Sequence, residues 1–243
     1  LSEHFQNNRF SDAEKLAKTI IQKFPNHPVA WGIFGAVLAQ TGRVSEALKP
    51  NQTAVNLSPS DPAGHHNLGI NFYELGRLEE SEASLRKALE YKPDLSDSHN
   101  ALGNTLKEMN RFDDAEESYR KSIEYNSENI FAHTNLGIML LEHNRLEESE
   151  ESLRKAININ PNNSKAKHML ASLLGETTKR APNDHVEELF DGFADKFDNK
   201  LSVDLDYKTP NLIADIIKKD SQIDSLGSVL DLGCGTGLLG FEI

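Results

Sequence analysis

Apolar residues recur with a helical period along most of the chain, as residues 65–89 illustrate. Apolar residues before Gly76 lie three and four residues apart, which predicts one apolar face of an α-helix. A second such face follows Gly76. Glycine adopts the left-handed conformation in which many helices end, so the pattern predicts two helices joined by a tight turn. The inward positions are Leu68, Phe72 and Leu75 in the first helix and Leu78, Leu85, Ala88 and Leu89 in the second.

The same pattern returns every 34 residues. Asn110 and Asn144 stand where Gly76 ends the first helix, and asparagine tolerates the same left-handed conformation. One pair of helices cannot bury its apolar face alone, so neighbouring pairs must stack. The segments WGIFG, HHNLG, HNALG and HTNLG start at Trp31, His65, His99 and His133, their final glycines are Gly35, Gly69, Gly103 and Gly137, and the arginines in register are Arg43, Arg77, Arg111 and Arg145.

This 34-residue pattern resembles the tetratricopeptide repeat. The resemblance implies a mainly α fold, a helical solenoid of about four to five repeats over residues 1–175. Pro50 falls inside the second helix of one repeat, and Asn51 replaces the usual large apolar residue there, so we expect that helix to be kinked or shortened. The expected units are a half repeat at 1–27, full repeats at 28–61, 62–95, 96–129 and 130–163, and a capping helix at 164–175.

The resemblance also implies a protein or peptide partner, bound in a concave groove lined by the first helices. Asn67 and Asn135 are similar to the asparagine ladders by which some superhelical repeats grip a peptide backbone, although Ala101 interrupts the series. The alternative is that these asparagines satisfy polar groups of neighbouring helices. By position, the expected groove residues are His66, Ile70, Tyr73, Asn100, Asn104, Lys107, Thr134, Ile138 and Leu141.

Three histidines, His65, His99 and His133, recur at one position of the repeat and raise the question of a metal site. Stacked repeats would hold them roughly 10 Å apart. Ligands of one ion lie about 2 Å from it, so these histidines cannot share one. We therefore expect no metal and predict that the histidines fill the packing position that Trp31 fills in the first full repeat.

A second region follows a polar linker at 176–184. Aromatic and aliphatic residues between Val186 and Leu201 lie three and four residues apart, which predicts an amphipathic helix. The final stretch, SVLDLGCGTGLLGFEI at 228–243, reads as a buried strand, a glycine loop and the start of a helix. The second region therefore has an α/β pattern unlike that of the repeats.

The glycine loop lacks the spacing of a dinucleotide site, because Leu238 stands where the third glycine of G-x-G-x-x-G would be. The string D-x-G-x-G-x-G instead resembles motif I of class I S-adenosylmethionine-dependent methyltransferases. That resemblance implies the N-terminal part of a Rossmann-like α/β domain over 185–243, with S-adenosyl-L-methionine as cofactor; another Rossmann-like cofactor fold and a purely structural turn are the alternatives. The implied cofactor-binding residues are Asp231, Gly233, Cys234, Gly235, Thr236 and Gly237, with Phe197 from the upstream helix.

Composition narrows the classes of function. The 243 residues include 26 basic and 38 acidic side chains, a net charge of −12, so a nucleic acid would meet a repulsive field and is not an expected partner. Residues 176–243 alone carry 7 basic and 14 acidic side chains. No apolar run approaches the roughly 20 residues of a membrane helix. Cys234 is the single cysteine, which excludes an intrachain disulfide. We therefore expect a cytoplasmic protein that contacts no membrane.

The order of repeats, linker and motif I is similar to that of predicted bacterial methyltransferases with N-terminal tetratricopeptide repeats. We expect the chain to be the N-terminal portion of such an enzyme, inactive alone, because the ribose-binding acid and the catalytic residues would follow motif I. The repeats would recruit a protein substrate or partner. The alternative is an interaction scaffold with a vestigial cofactor domain. A third hypothesis, a glycosyltransferase with repeats, is supported only by the asparagine series, and motif I argues against it.

Overall fold

The structure is a computed structural model that describes residues 9–176. Within this range it contains ten α-helices and no strand, which confirms the predicted helical repeat fold for the part of the chain described. Residues 1–8 and 177–243 lie outside the described range. The helices are α1 (Phe10–Lys23), α2 (Pro28–Gln40), α3 (Val44–Leu57), α4 (Pro62–Glu74), α5 (Leu78–Tyr91), α6 (Ser96–Glu108), α7 (Phe112–Tyr125), α8 (Ile130–Glu142), α9 (Leu146–Ile159) and α10 (Ser164–Leu173).

The helices alternate between two roles. The even-numbered helices are the first helices of the repeats, and consecutive ones contact each other to form a continuous surface, called here the first-helix surface. The odd-numbered second helices pack behind them. Side-chain caps define where several first helices begin: Asp61, Asn129 and Asn163 each accept a hydrogen bond from a backbone amide in the first turn of the helix that follows.

The turn inside each repeat requires a residue with positive φ. Gly76 adopts φ +70°, and the predicted equivalents Asn110 and Asn144 adopt +60° and +58°. The left-handed conformation of these turns is therefore confirmed at all three positions. Glycine and asparagine are the residues that reach this region with little strain.

Glycines also allow the two helices of a repeat to approach closely. A Cβ atom placed on Gly69 would lie 2.6 Å from Cγ of Leu85 on the paired helix. On Gly137 it would lie 2.8 Å from Cγ of Leu153. Real carbon atoms do not come this close, so any larger residue would force the helices apart.

Ion pairs connect successive repeats. At three junctions, an arginine before the second helix reaches a glutamate of the preceding second helix, 29 residues earlier in the chain. The pairs are Arg43–Glu14, Arg111–Glu82 and Arg145–Glu116. The junction at Arg77 differs, because Leu48 stands where that glutamate would be. Arg77 instead pairs with Glu80, and its guanidinium lies 4.5 Å from the centre of the Phe72 ring.

The repeat at 28–61 has an unusual core. Helix α3 spans 14 residues, as α5, α7 and α9 do, so the expected shortening at Pro50 is wrong: the helix is held between its neighbours despite the missing amide hydrogen. The expected kink stays a prediction. Asn51 is only 1% exposed, and its amide nitrogen lies 3.4 Å from Oδ1 of Asn71. Its own Oδ1 finds no hydrogen-bond donor within residues 9–176.

Candidate functional site

The nine predicted groove residues lie on three consecutive first helices, α4, α6 and α8. Eight of them are half-buried and Thr134 is buried. Several contact a neighbouring first helix directly: Nδ1 of His66 lies 2.8 Å from Oγ of Ser98, and Nζ of Lys107 lies 2.8 Å from a carboxylate oxygen of Glu142. The structure therefore brings side chains from all three helices together on the first-helix surface.

A hydrogen-bonded network lies at the centre of this surface. Nδ2 of Asn135 donates to Oδ1 of Asn100 at 3.0 Å and to Oδ1 of Asn104 at 2.9 Å. The hydroxyl of Tyr119 donates to the same Oδ1 of Asn104 at 2.8 Å. Asparagine side chains in this network therefore form hydrogen bonds with polar groups of neighbouring helices. This is one of the two interpretations of the asparagine series. The amide nitrogens of Asn100 and Asn104 find no acceptor within residues 9–176, so they remain available to a bound group.

Burial affects the titratable groups of the surface. Burial lowers the pKa of His66, and the charge of Asp97 offsets this only in part, so the imidazole is neutral at pH 7. Burial raises the pKa of the Tyr73 phenol, and the carboxylate of Glu108 raises it further. Both rings therefore act as neutral hydrogen-bonding groups near neutral pH. Neither ring therefore offers a charge with which a bound group could form a salt bridge.

The apolar groove residues pack on the core and are also partly exposed on the surface. Ile70 packs on the core cluster that contains Leu106 and Tyr119, and Ile138 packs on the cluster that contains Leu153. Phe131 is different, since it is 70% exposed. It lies one helical turn before Thr134 and Asn135 on α8, and so faces the same side as they do. Phe131 was not among the groove residues predicted from the sequence.

An acidic series on this surface was also not among the predicted groove residues. Glu74, Glu108 and Glu142 are the last residues of α4, α6 and α8, and all three are exposed. Their spacing of 34 residues is visible in the sequence and could have identified them.

The recurrent histidines have the predicted packing role. Nε2 of His65, His99 and His133 donates to the backbone carbonyl six residues earlier, at 2.7, 2.8 and 3.0 Å. Nε1 of Trp31 donates to the equivalent carbonyl of Pro25 at 2.7 Å. The prediction that histidine replaces tryptophan at one packing position is therefore confirmed. Among the described residues, no group of histidine, cysteine and carboxylate side chains has the arrangement of a metal site.

The predicted cofactor-binding residues belong to the second region of the chain. Phe197, Asp231, Gly233, Cys234, Gly235, Thr236 and Gly237 lie outside the described residues. None of the helices within residues 9–176 combines the length and apolar character needed to cross a bilayer.

Two family models match the chain, both described as tetratricopeptide repeats. One covers residues 69–110, and the other covers residues 2–62 and 100–164, more than half of the chain. Against curated proteins, the chain has no significant match.

Solved structures with this fold include three proteins of low sequence identity. A thermophilic TPR protein of Thermus thermophilus is 21% identical, with a TM-score of 0.63, over 71% of this chain and 94% of that one. MamA is 19% identical, with a TM-score of 0.56, over 67% and 95%. YrrB is 17% identical, with a TM-score of 0.53, over 65% and 82%, and is described as a TPR protein with an unusual peptide-binding site. The family matches and the observed helical repeats together show that the chain belongs to the tetratricopeptide repeat family.

Proposed function

We propose that the repeats bind an extended segment of a partner protein across the first-helix surface of α4, α6 and α8. The observation that carries this proposal is that one surface presents Phe131, 70% exposed, together with the amide donors of Asn100 and Asn104, which have no acceptor within residues 9–176. An exposed aromatic ring on the same surface as amide donors without a protein acceptor is typical of a recognition surface, since the ring can be desolvated while the donors meet backbone carbonyls.

Two further features support this function. Consecutive first helices contribute equivalent positions 34 residues apart, so a segment crossing them meets similar groups at regular intervals. One protein of similar fold, YrrB, is described as having a peptide-binding site, which supports the suitability of the fold for this task.

An array of synthetic peptides of about 12 residues, probed with the full chain, tests this function. We expect a subset of peptides to bind, and we expect Phe131→Ala to weaken their binding about tenfold or more, as for a central aromatic anchor. Phe24→Ala is the matched control, since Phe24 is 62% exposed but follows α1, away from this surface. Equal binding by both variants, or an array without bound peptides, would overturn the proposal.

A second function rests on the sequence motif alone. We propose that residues 185–243 begin a class I methyltransferase domain that binds S-adenosyl-L-methionine, because Asp231 precedes three alternating glycines after an apolar strand pattern. The repeats would then bring a protein substrate or partner to the enzyme.

Calorimetric titration of the complete natural gene product with S-adenosylhomocysteine tests the cofactor. We expect binding that is lost in Gly235→Asp, because a side chain there would occupy the space of the cofactor. A folded protein that binds no S-adenosylhomocysteine would instead favour the alternative, a scaffold with a vestigial cofactor domain.

A further inference from the structure

We propose that the segment bound on the first-helix surface is cationic, with lysine or arginine residues interspersed with apolar ones. This inference rests on the proposed peptide-binding function and adds the chemistry of the partner. It is carried by the charge of the surface, by the placement of that charge on the helices and by the apolar groups between the charges.

The part of this surface formed by α4, α6 and α8 has an excess of negative charge. It carries the exposed carboxylates of Glu74, Asp97, Glu108 and Glu142 against the half-buried ammonium group of Lys107, while α10 carries Lys165 at the position that Phe131 holds on α8. The ammonium group of Lys107 is already paired with Glu142 at 2.8 Å. Glu74 and Glu108 have no ion-pair partner within residues 9–176. The surface therefore offers uncompensated negative charge to a ligand.

The acidic series is unfavourable for the helices that carry it. Glu74, Glu108 and Glu142 are the final residues of their helices, where the exposed carbonyl groups already create a negative potential. A carboxylate at this end destabilises a helix, whereas a lysine or arginine would stabilise it. A locally unfavourable residue repeated at three successive helix ends is the pattern expected where binding, rather than stability, determines the residue.

The negative charge of this series reaches a buried side chain. Burial raises the pKa of the Tyr119 phenol, with smaller contributions in the same direction from Tyr73, Glu142 and Glu108. The carboxylates therefore act on the interior of the surface as well as on its edge. A cation from a partner would relieve this unfavourable potential.

Apolar groups lie between the charges. Phe131 is 70% exposed, and Ile70, Ile138 and Leu141 are half-buried along the same three helices. An aromatic ring accepts either an aliphatic side chain or a cation over its face. The surface therefore matches a segment with both apolar and basic residues. A second copy of the chain is a poor match, because its net charge is −12.

Three labelled peptides of about 12 residues test the inference with the full chain, by fluorescence anisotropy. They alternate leucine with lysine, with glutamate or with serine. We expect the lysine peptide to bind most tightly and its affinity to fall as salt is raised from about 0.05 to 0.3 M. We expect Glu74→Gln combined with Glu108→Gln to weaken it about three- to tenfold.

The matched control is Glu79→Gln combined with Glu147→Gln. These residues are exposed in the first turns of the second helices α5 and α9, so the change in net charge is the same but lies elsewhere. We expect the control to bind the lysine peptide like the unaltered chain. Equal weakening by both double variants would overturn the inference, because it would reveal attraction to net charge alone.

The remaining outcomes separate the inference from the function on which it rests. If the glutamate or serine peptide binds as tightly as the lysine peptide, and Phe131→Ala abolishes that binding, the surface binds peptides but the cationic partner is wrong. If none of the three peptides binds and the peptide array is also empty, both proposals fail. Circular dichroism of each variant establishes that it remains folded.

Discussion

The glycines of the first helices determine how closely paired helices approach. A Cβ on Gly69 would lie 2.6 Å from Cγ and 3.3 Å from the backbone nitrogen of Leu85. The backbone contact matters most, because a side chain can rotate away whereas the helix must move as a whole. At Gly32, in contrast, the nearest atom would be Cβ of Ala54 at 3.8 Å, an ordinary contact.

We predict that Gly69→Ala lowers the free energy of unfolding by about 1–3 kcal/mol, because α4 and α5 must separate. Gly32→Ala should leave it unchanged or raise it by up to about 1 kcal/mol, because alanine favours the helix and meets no obstacle. Urea denaturation followed by circular dichroism at 222 nm measures both. Equal stabilities would mean that close approach is not the reason for glycine at position 69.

The ion pair at Glu14 predicts a dependence of stability on pH. Hydrogen bonds from Arg43 and then Lys18 lower the pKa of Glu14 from 4.5 to about 2. The folded chain therefore binds this proton less readily than the unfolded chain does. Its stabilising contribution is complete above about pH 4.5 and is lost as the pH falls towards 2.

We predict that Glu14→Gln lowers the free energy of unfolding by about 0.2–1 kcal/mol at pH 7 and that the difference from the unaltered chain narrows below pH 4.5. Glu124→Gln is the control, because Glu124 is exposed on α7 and has no ion-pair partner within the described residues. Urea denaturation at several pH values checks both. A difference that is constant across this pH range would contradict the assignment to ionisation.

At the scale of the element, helix α3 departs from the other second helices. Pro50 occupies the position that Ser84, Ser118 and Ser152 hold in later repeats. The hydroxyl groups of Ser84 and Ser118 donate hydrogen bonds to backbone carbonyls four residues earlier in their own helices. Proline has no amide hydrogen, so α3 loses one helical hydrogen bond yet keeps its full length.

We predict that Pro50→Ser raises the free energy of unfolding by about 1–3 kcal/mol, since it restores that bond. The reciprocal change, Ser118→Pro in α7, should lower it by about 3 kcal/mol or more. Chemical denaturation of the two variants side by side measures the effect. A loss of stability in Pro50→Ser would show that the surroundings of α3 are adapted to the proline ring.

At the scale of the whole repeat array, stability is unevenly distributed. The largest core cluster joins α5, α6, α7 and α8 through residues such as Leu106 and Tyr119. The cluster between α3 and α4 is smaller and adjoins the buried, incompletely bonded Asn51. In a stacked array each repeat is stabilised chiefly by its immediate neighbours, so these differences act locally.

We predict that hydrogen exchange measured by mass spectrometry is faster in α3 than in α6 and α7. The free energy of local opening should be lowest where apolar burial is least and a polar group is unsatisfied. Asn51→Leu should slow exchange in α3, because leucine occupies the equivalent position opposite glycine in two later repeats. Uniform exchange from α2 to α9 would instead indicate a single cooperative unit.

Much of this architecture is predictable from the sequence because one spacing determines it. Residues such as Gly69 and His99 recur every 34 positions, so the helices, their turns and their inward faces can be assigned without coordinates. The same spacing places the groove residues on one surface. The expected shortening at Pro50 does not occur, because the packing of α3 against neighbouring helices outweighs the loss of one helical hydrogen bond.

The finer contacts could not be derived from the repeat. Asn135 reaches both Asn100 and Asn104, and this depends on side-chain rotamers across two helices. Spacing alone also does not show that Lys107 pairs with Glu142 while Glu74 and Glu108 stay unpaired within the described residues. Such choices depend on distances of a few ångströms.

The arginine–glutamate pairs between repeats have a consequence for how such an array can grow by gene duplication. Residues 96–129 carry both kinds of ion-pair partner. Arg111 pairs with the repeat before, and Glu116 pairs with the repeat after. A tandem copy inserted after residue 129 would meet a matching partner at each new boundary. A copy of residues 28–61 would instead bring a second Leu48, so lengthening the protein there would multiply its one mismatched boundary among the described repeats.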